Sequence, residues 1–265
     1  MVVFARKEKY GIGDLLKIME ILRSPEGCPW DREQTHESVR QNFIEETYEA
    51  IEGIDLKDTE LLKEELGDVL LQVVFHAQME KEQGSFDFSD VADGICKKLI
   101  IRHPHIFSDV VANNSDEVLK NWDAIKMETK SQRTQSEVLS GVSRSLPALM
   151  RSQKVQHKAS KAGFDWPEIG GALDKVEEEL SELREAVAAG TEEERVEELG
   201  DLLFSVVNVA RFLKTDSEEA LTLACDKFIS RFAKVEALAG ERRIDMKSSP
   251  LSVLDALWDE CKQRT

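Results

Sequence analysis

The feature that most constrains this chain is an internal repeat. Residues 43–77 align without a gap on residues 176–210 at a constant offset of 133, with 14 of 35 positions identical. Glu45, Glu46, Glu49 and Glu52 fall on Glu178, Glu179, Glu182 and Glu185, and Glu64-Glu65-Leu66-Gly67-Asp68 falls on Glu197-Glu198-Leu199-Gly200-Asp201. After a four-residue slip, Cys96, Lys98 and Arg102 fall on Cys225, Lys227 and Arg231. The duplication implies two domains, expected at 1–128 and 161–265, with a connecting segment at 129–160. Composition sets the middle apart: Lys126 to Lys161 holds eight Lys or Arg against two Asp or Glu. Such a stretch reads as part linker and part helix. The sharper alternative is a basic strip docked on an acidic site or on a second subunit.

Each copy has the periodicity of helices. Val176, Leu180, Leu183 and Val187 form one apolar stripe, and Val196, Leu199, Leu203, Val206, Val207 and Ala210 form another. Gly190 is expected to end the first helix, and Thr191-x-x-Glu194 reads as a capping box opening the next. In the first copy Gly53 and a cap at Asp58 or Thr59 are expected to do the same work. The prediction is an antiparallel helix pair per copy, followed by a helix carrying the Lys/Arg pair. With no βαβ rhythm, the fold class expected is all-α, two tandem helical bundles.

Composition agrees. Gly and Pro make up 20 of 265 residues, about 8% against a usual ~12%, which suits helices and argues against a turn-rich β sandwich. The net charge of −17 argues against a nucleic-acid polymer as main partner. Small anions remain open only if metal ions or a local cationic patch reverse the field. Cys28, Cys96, Cys225 and Cys261 are scattered and read as reduced thiols rather than a stapled secreted domain. Charge arrives too early for a signal peptide, and the apolar stretch around Val69–Met79 is far shorter than the ~20 residues of a membrane span. A cytoplasmic protein with no membrane partner is the expectation.

The carboxylates carry the chemistry. Side chains three or four apart on a helix share a face, so Glu179 neighbours Glu182, and Glu198 neighbours Asp201. An antiparallel pairing of the two helices gathers all four. Like charges this close repel, and a cation relieves them. Oxygen donors without His or Cys suit Mg²⁺, or Mn²⁺, rather than zinc, and Mg²⁺ is commonly completed by substrate phosphates. A lone ExxE is usually a solvated helix face; two such motifs bracketing a hairpin, present twice, are harder to dismiss. Lys227 and Arg231, at i and i+4, put two cations on one face of the next helix and could neutralise phosphates. Trp258 could stack on a base or plug a core. His103-Pro104-His105 reads as structural. The di-iron alternative needs ExxH pairs, and neither copy has His in that position; a Walker loop and a GxGxxG are absent from the sequence.

The pattern Glu178-Glu179-x-x-Glu182 followed by Glu198-x-x-Asp201 resembles the EExxE…ExxD signature of the all-α nucleoside triphosphate pyrophosphohydrolases. Gly27-Cys-Pro-Trp-Asp31, Gln34-Thr-His36, Arg102-His-Pro-His105 and Lys161-Ala-Gly-Phe-Asp-Trp166 resemble tandem-domain MazG proteins, over nearly the whole chain. The resemblance implies a homodimer of helical bundles and Mg²⁺-dependent cleavage of a nucleoside triphosphate between α- and β-phosphate. It implies metal ligands at Glu179, Glu182, Glu198 and Asp201, with Lys175, Lys227, Arg231 and Trp258 around the nucleotide. Glu46, Glu49, Glu65 and Asp68 are the matching ligands of the first copy. The family tends to have a Lys shortly before EELGD; here Glu194 and Arg195 stand there, leaving Arg195 as the candidate contact. Glu178 is the candidate proton acceptor.

The second copy is expected to be the catalytic one. Its acidic face continues as Ser205 and Asn208, a polar seam suited to a wet site, where the first copy has Gln72 and Phe75. In two-domain relatives the C-terminal copy is likewise the better supported catalyst. Two rivals stand beside this reading: a narrow house-cleaning pyrophosphatase for dUTP, dCTP or a damaged nucleotide, and a non-catalytic nucleotide-sensing dimer.

Overall fold

A computed structural model describes residues 4–108, 125 and 134–263; residues 129–133 of the expected connecting segment lie outside the described residues. The chain divides into two units, Met1–Lys126 and Met127–Thr265. Every regular element among the described residues is helical.

The first unit contains α1 (Ile12–Arg23), α2 (Pro29–Glu33), α3 (Arg40–Asp55), α4 (Thr59–Gln83), α5 (Phe88–Arg102) and α6 (Pro104–Phe107). α3 and α4 pack against each other as a hairpin. Asp58 starts α4 by accepting from the Glu60 and Leu61 amides, satisfying donors that a helix start leaves free. Gly84, at φ 76°, ends α4 in the left-handed conformation. Gly53 does not end α3, contrary to expectation. It lies inside the helix where α4 crosses it, and a Cβ there would come within 2.9 Å of the Leu62 backbone. The core of this unit is Met19, Val39, Val74, Phe75 and Met79. Arg23 fastens α1 to the end of α4 through Glu82 and to the α2 turn through the Asp31 and Gln34 carbonyls.

The second unit contains α7 (Gln135–Ser140), α8 (Ala148–Lys161), α9 (Ile169–Ala189), α10 (Glu192–Phe212), α11 (Ser217–Arg242) and α12 (Leu251–Gln263). α9 and α10 form the second hairpin. Gly190 closes α9, and the Thr191 hydroxyl and Glu194 carboxylate exchange the expected capping-box bonds. α8, inside the segment read as connecting, packs on α10 and α11. Gln153 accepts from the Ser217 amide and hydroxyl, and Gln156 donates to the Phe204 carbonyl. α11 and α12 enclose a core of Val235, Leu238, Ala239, Leu257 and Cys261. The junction is fixed by Trp166, whose ring fills the space a Cβ on Gly171 would need, and by an Asp165–Arg211 ion pair.

The apolar stripes of α9 and α10 are not buried within the chain: Val187, Val196, Leu199, Leu203 and Val206 are all exposed, Val196 at 68%. Val207 lies on the covered side and is buried. The helices packed on α10, namely α8, α9 and α11, leave this face uncovered. The four cysteines are free thiols. Among the described residues no helix is long and apolar enough to cross a membrane.

Leu257 is almost fully buried and Leu251, on the same helix, is 71% exposed. Leu257→Ala should cost about 2–5 kcal/mol in urea unfolding. Leu251→Ala should stay within about 0.5 kcal/mol.

Candidate metal and nucleotide site

The second hairpin brings together three of the four carboxylates expected to converge. Glu179 and Glu182 project from α9 and Glu198 from α10, and one carboxylate oxygen of each lies within 4.8 Å of the others. Glu179 is buried, Glu182 exposed, and Glu198 between the two. Asp201 stands one turn beyond Glu198, near enough for its charge to act on that carboxyl. Burial, then the charge of Glu179, pushes the Glu182 carboxyl above its ordinary range. Burial, then Glu182, Glu179 and Asp201, does the same to Glu198. Two sites that hold on to protons are a measure of crowded negative charge.

Lys175 lies one turn before this trio on α9. Its ammonium is 2.7 Å from Glu179 and 2.8 Å from Glu178. The hydrogen bonds that the ammonium donates to Glu178 and Glu179 push the Lys175 pKa up. Glu178 itself is exposed at the rim.

The first hairpin repeats the arrangement. Glu46 and Glu49 of α3 and Glu65 of α4 offer oxygens within 4.8 Å of one another. The Glu46 carboxyl is pushed up by burial, then by Asp68, Glu49 and Glu65; Glu65 is pushed up by burial, then by Glu49 and Asp68. At the place of Lys175 stands Asn42. Among the described residues no Lys or Arg forms an ion pair with Glu46, Glu49 or Glu65.

Both clusters present hard oxygen donors only, close enough together that they could hold a metal ion. That donor set fits Mg²⁺ or Mn²⁺ and does not fit a soft or nitrogen-seeking metal.

The remaining expected residues divide. Lys227 and Arg231 lie on α11, Lys227 exposed, and neither pairs with the carboxylates among the described residues. The Arg231 guanidinium sits 5.1 Å from the Trp258 ring centroid. Trp258 of α12 packs on the α11–α12 core and lies 5.0 Å from the Phe228 ring. Phe228 was not anticipated; aromatic residues at 228 and 232, one turn apart on α11, were the available signal. Arg195 donates to the Ala186 and Gly190 carbonyls and so closes the C-terminus of α9. The polar seam is not wet. Ser205 and Asn208 are buried, the Ser205 hydroxyl donates to the Leu202 carbonyl, and Asn208 accepts from Arg211. A hydroxyl and an amide at these positions complete a helix-packing network, because α8 covers them.

Residues 34–107 and 171–235 match the MazG nucleotide pyrophosphohydrolase domain, a pair of matches that takes in both hairpins. The chain is 46% identical to the nucleoside triphosphate pyrophosphohydrolase of Escherichia coli K12, over 96% of this chain and 97% of that protein. It is 47% identical to the nucleoside triphosphate pyrophosphohydrolase/pyrophosphatase MazG of Thermotoga maritima, over 94% of each. A nucleoside triphosphate pyrophosphohydrolase of Mycolicibacterium smegmatis is 36% identical over 66% of this chain and 55% of that protein. With the family's domain matched twice and two of these relatives matched nearly end to end, the chain belongs to the MazG nucleotide pyrophosphohydrolase family.

Proposed function

We propose that the second hairpin of this nucleoside triphosphate pyrophosphohydrolase cleaves NTPs and dNTPs between the α- and β-phosphates, yielding a nucleoside monophosphate and pyrophosphate. The observation that carries the reading is the convergence of Glu179, Glu182 and Glu198 from two helices onto one small space. These three, with Asp201, would hold the divalent ion, Mg²⁺ or Mn²⁺. When bound, such an ion polarises phosphoryl oxygens and makes a nearby water more acidic. Water attacks the α-phosphorus, the bond to the bridging oxygen breaks, and the water's proton passes to a carboxylate, for which the exposed Glu178 is suited. Lys175 offers a positive charge beside Glu179, while Lys227 and Arg231 on α11 would balance the pyrophosphate. Trp258 would serve the nucleotide while remaining seated on Phe228. Arg195 keeps the structural task described above.

The uncovered stripe supports a homodimer. Val196, Leu199, Leu203 and Val206 form an apolar face, and a second copy of the same face would cover it. Nothing in the acidic surface recommends a nucleic-acid polymer, and the cytoplasm is the compartment in which such a substrate and four free thiols fit together.

Phosphorus analysis after incubation with ATP and Mg²⁺ should show AMP and pyrophosphate; ADP and orthophosphate would reject the cleavage site. Glu198→Ala should lower kcat/KM by more than about 100-fold, beyond what loss of an outer partner of a metal ligand costs. Glu65→Ala should leave turnover nearly intact, and full activity in Glu198→Ala would move the reaction to the first hairpin.

Acid should weaken metal loading. The folded protein keeps Glu46, Glu65, Glu182 and Glu198 protonated at a higher pH than the unfolded chain does. These groups therefore favour folding at low pH, and that contribution is lost as pH rises through their folded pKa values. A bound divalent ion reverses the penalty, so the Tm gain on adding Mg²⁺ should be larger at about pH 7.5 than at about pH 5.

For the dimer, Leu203→Glu should shift the protein to a monomer in light scattering with its helical content unchanged.

A further inference from the structure

The two carboxylate trios are near copies that differ in one charge. Glu46, Glu49 and Glu65 match Glu179, Glu182 and Glu198 in spacing and helix placement. Four residues before Glu46 stands Asn42, and four residues before Glu179 stands Lys175. The Lys175 ammonium lies 2.7 Å from Glu179, whose side chain is only 7% exposed. It thus takes the most enclosed carboxylate of the trio. Its own side chain is 34% exposed, so the ammonium can swing outward on a flexible four-carbon stem.

An ammonium and a divalent ion cannot both sit against one carboxylate without repelling each other. A metal entering alone must either displace Lys175 from a charge-assisted hydrogen bond or tolerate it as a neighbour. A triphosphate changes the balance, because its oxygens give the displaced ammonium a new anionic acceptor. We infer that Lys175 is a tethered counter-ion competing with the divalent cation for Glu179, so that the C-terminal cluster takes up metal mainly together with a polyphosphate ligand. This rests on Glu179, Glu182 and Glu198 being the metal ligands. Lys175 then acts as a positioning residue that couples metal and nucleotide binding. Coupling of this kind is reciprocal: whatever the nucleotide adds to metal affinity, the metal adds to nucleotide affinity.

The test measures Mn²⁺ binding by the electron paramagnetic resonance of the free ion, on full-length protein carrying Glu65→Ala to silence the first cluster. Three proteins are compared, with Lys175, Lys175→Met and Lys175→Arg, each with and without the α,β-methylene analogue of ATP. Without nucleotide, Lys175→Met should bind Mn²⁺ about tenfold more tightly than the parent, and the increment contributed by the analogue should shrink by a similar factor. Lys175→Arg, which keeps the charge, should follow the parent. Unchanged or weaker Mn²⁺ binding in Lys175→Met would overturn the competition, provided Glu198→Ala still abolishes binding. If Glu198→Ala leaves Mn²⁺ binding as it was, the metal-site reading itself fails, whatever Lys175 does.

Discussion

Repulsion between carboxylates held across a helical hairpin is the interaction on which the rest of this molecule turns. Each hairpin places acidic side chains from two helices closer together than they would stand in water. Loss of water first, and the neighbouring negative charges after it, raise the carboxyls of Glu46, Glu65, Glu182 and Glu198. Only a rigid frame maintains such a cluster. The frame comes from capped helix starts at Asp58 and Thr191, from small residues where the helices cross, and from the packing of α8 behind α10. Strain of this sort is commonly retained where a ligand relieves it.

The duplicated hairpin has been kept in outline and altered in its charges. The first copy leaves its trio without a basic partner among the described residues, while the second supplies an internal one. The same helix geometry therefore carries two different arrangements of charge. The surroundings have diverged as well. Where the first copy buries Phe75 in its core, the second places Asn208, bonded to Arg211 and through it to Asp165 in the junction loop. That chain of polar contacts ties the Trp166 junction to the C-terminal end of α10.

Much of this was legible in the residues. The repeat, the hairpins, the Thr191 cap and the converging carboxylates all follow from local rules: helical spacing, turn chemistry and identity at a fixed offset. What escaped were matters of cover and of partner choice. Periodicity marks Val196, Leu199 and Leu203 as one apolar face but does not say what lies against it. Ser205 and Asn208 read alike whether water or packed helices satisfy them. Arg195 is a cation in the right neighbourhood, yet its guanidinium is spent on the carbonyls of Ala186 and Gly190. Gly53 has the composition of a helix terminator and the location of a close crossing.

That crossing bears on the carboxylates. Gly53 is one turn beyond Glu49 on α3, and Leu62, which it touches, is one turn before Glu65 on α4. In the second hairpin the matching positions are Ala186 and Arg195, joined by a hydrogen bond. Each trio of oxygens thus converges one turn from a contact that pins its two helices together. A methyl group at residue 53 would have to push the helices of the first hairpin apart, and with them the acidic groups they carry.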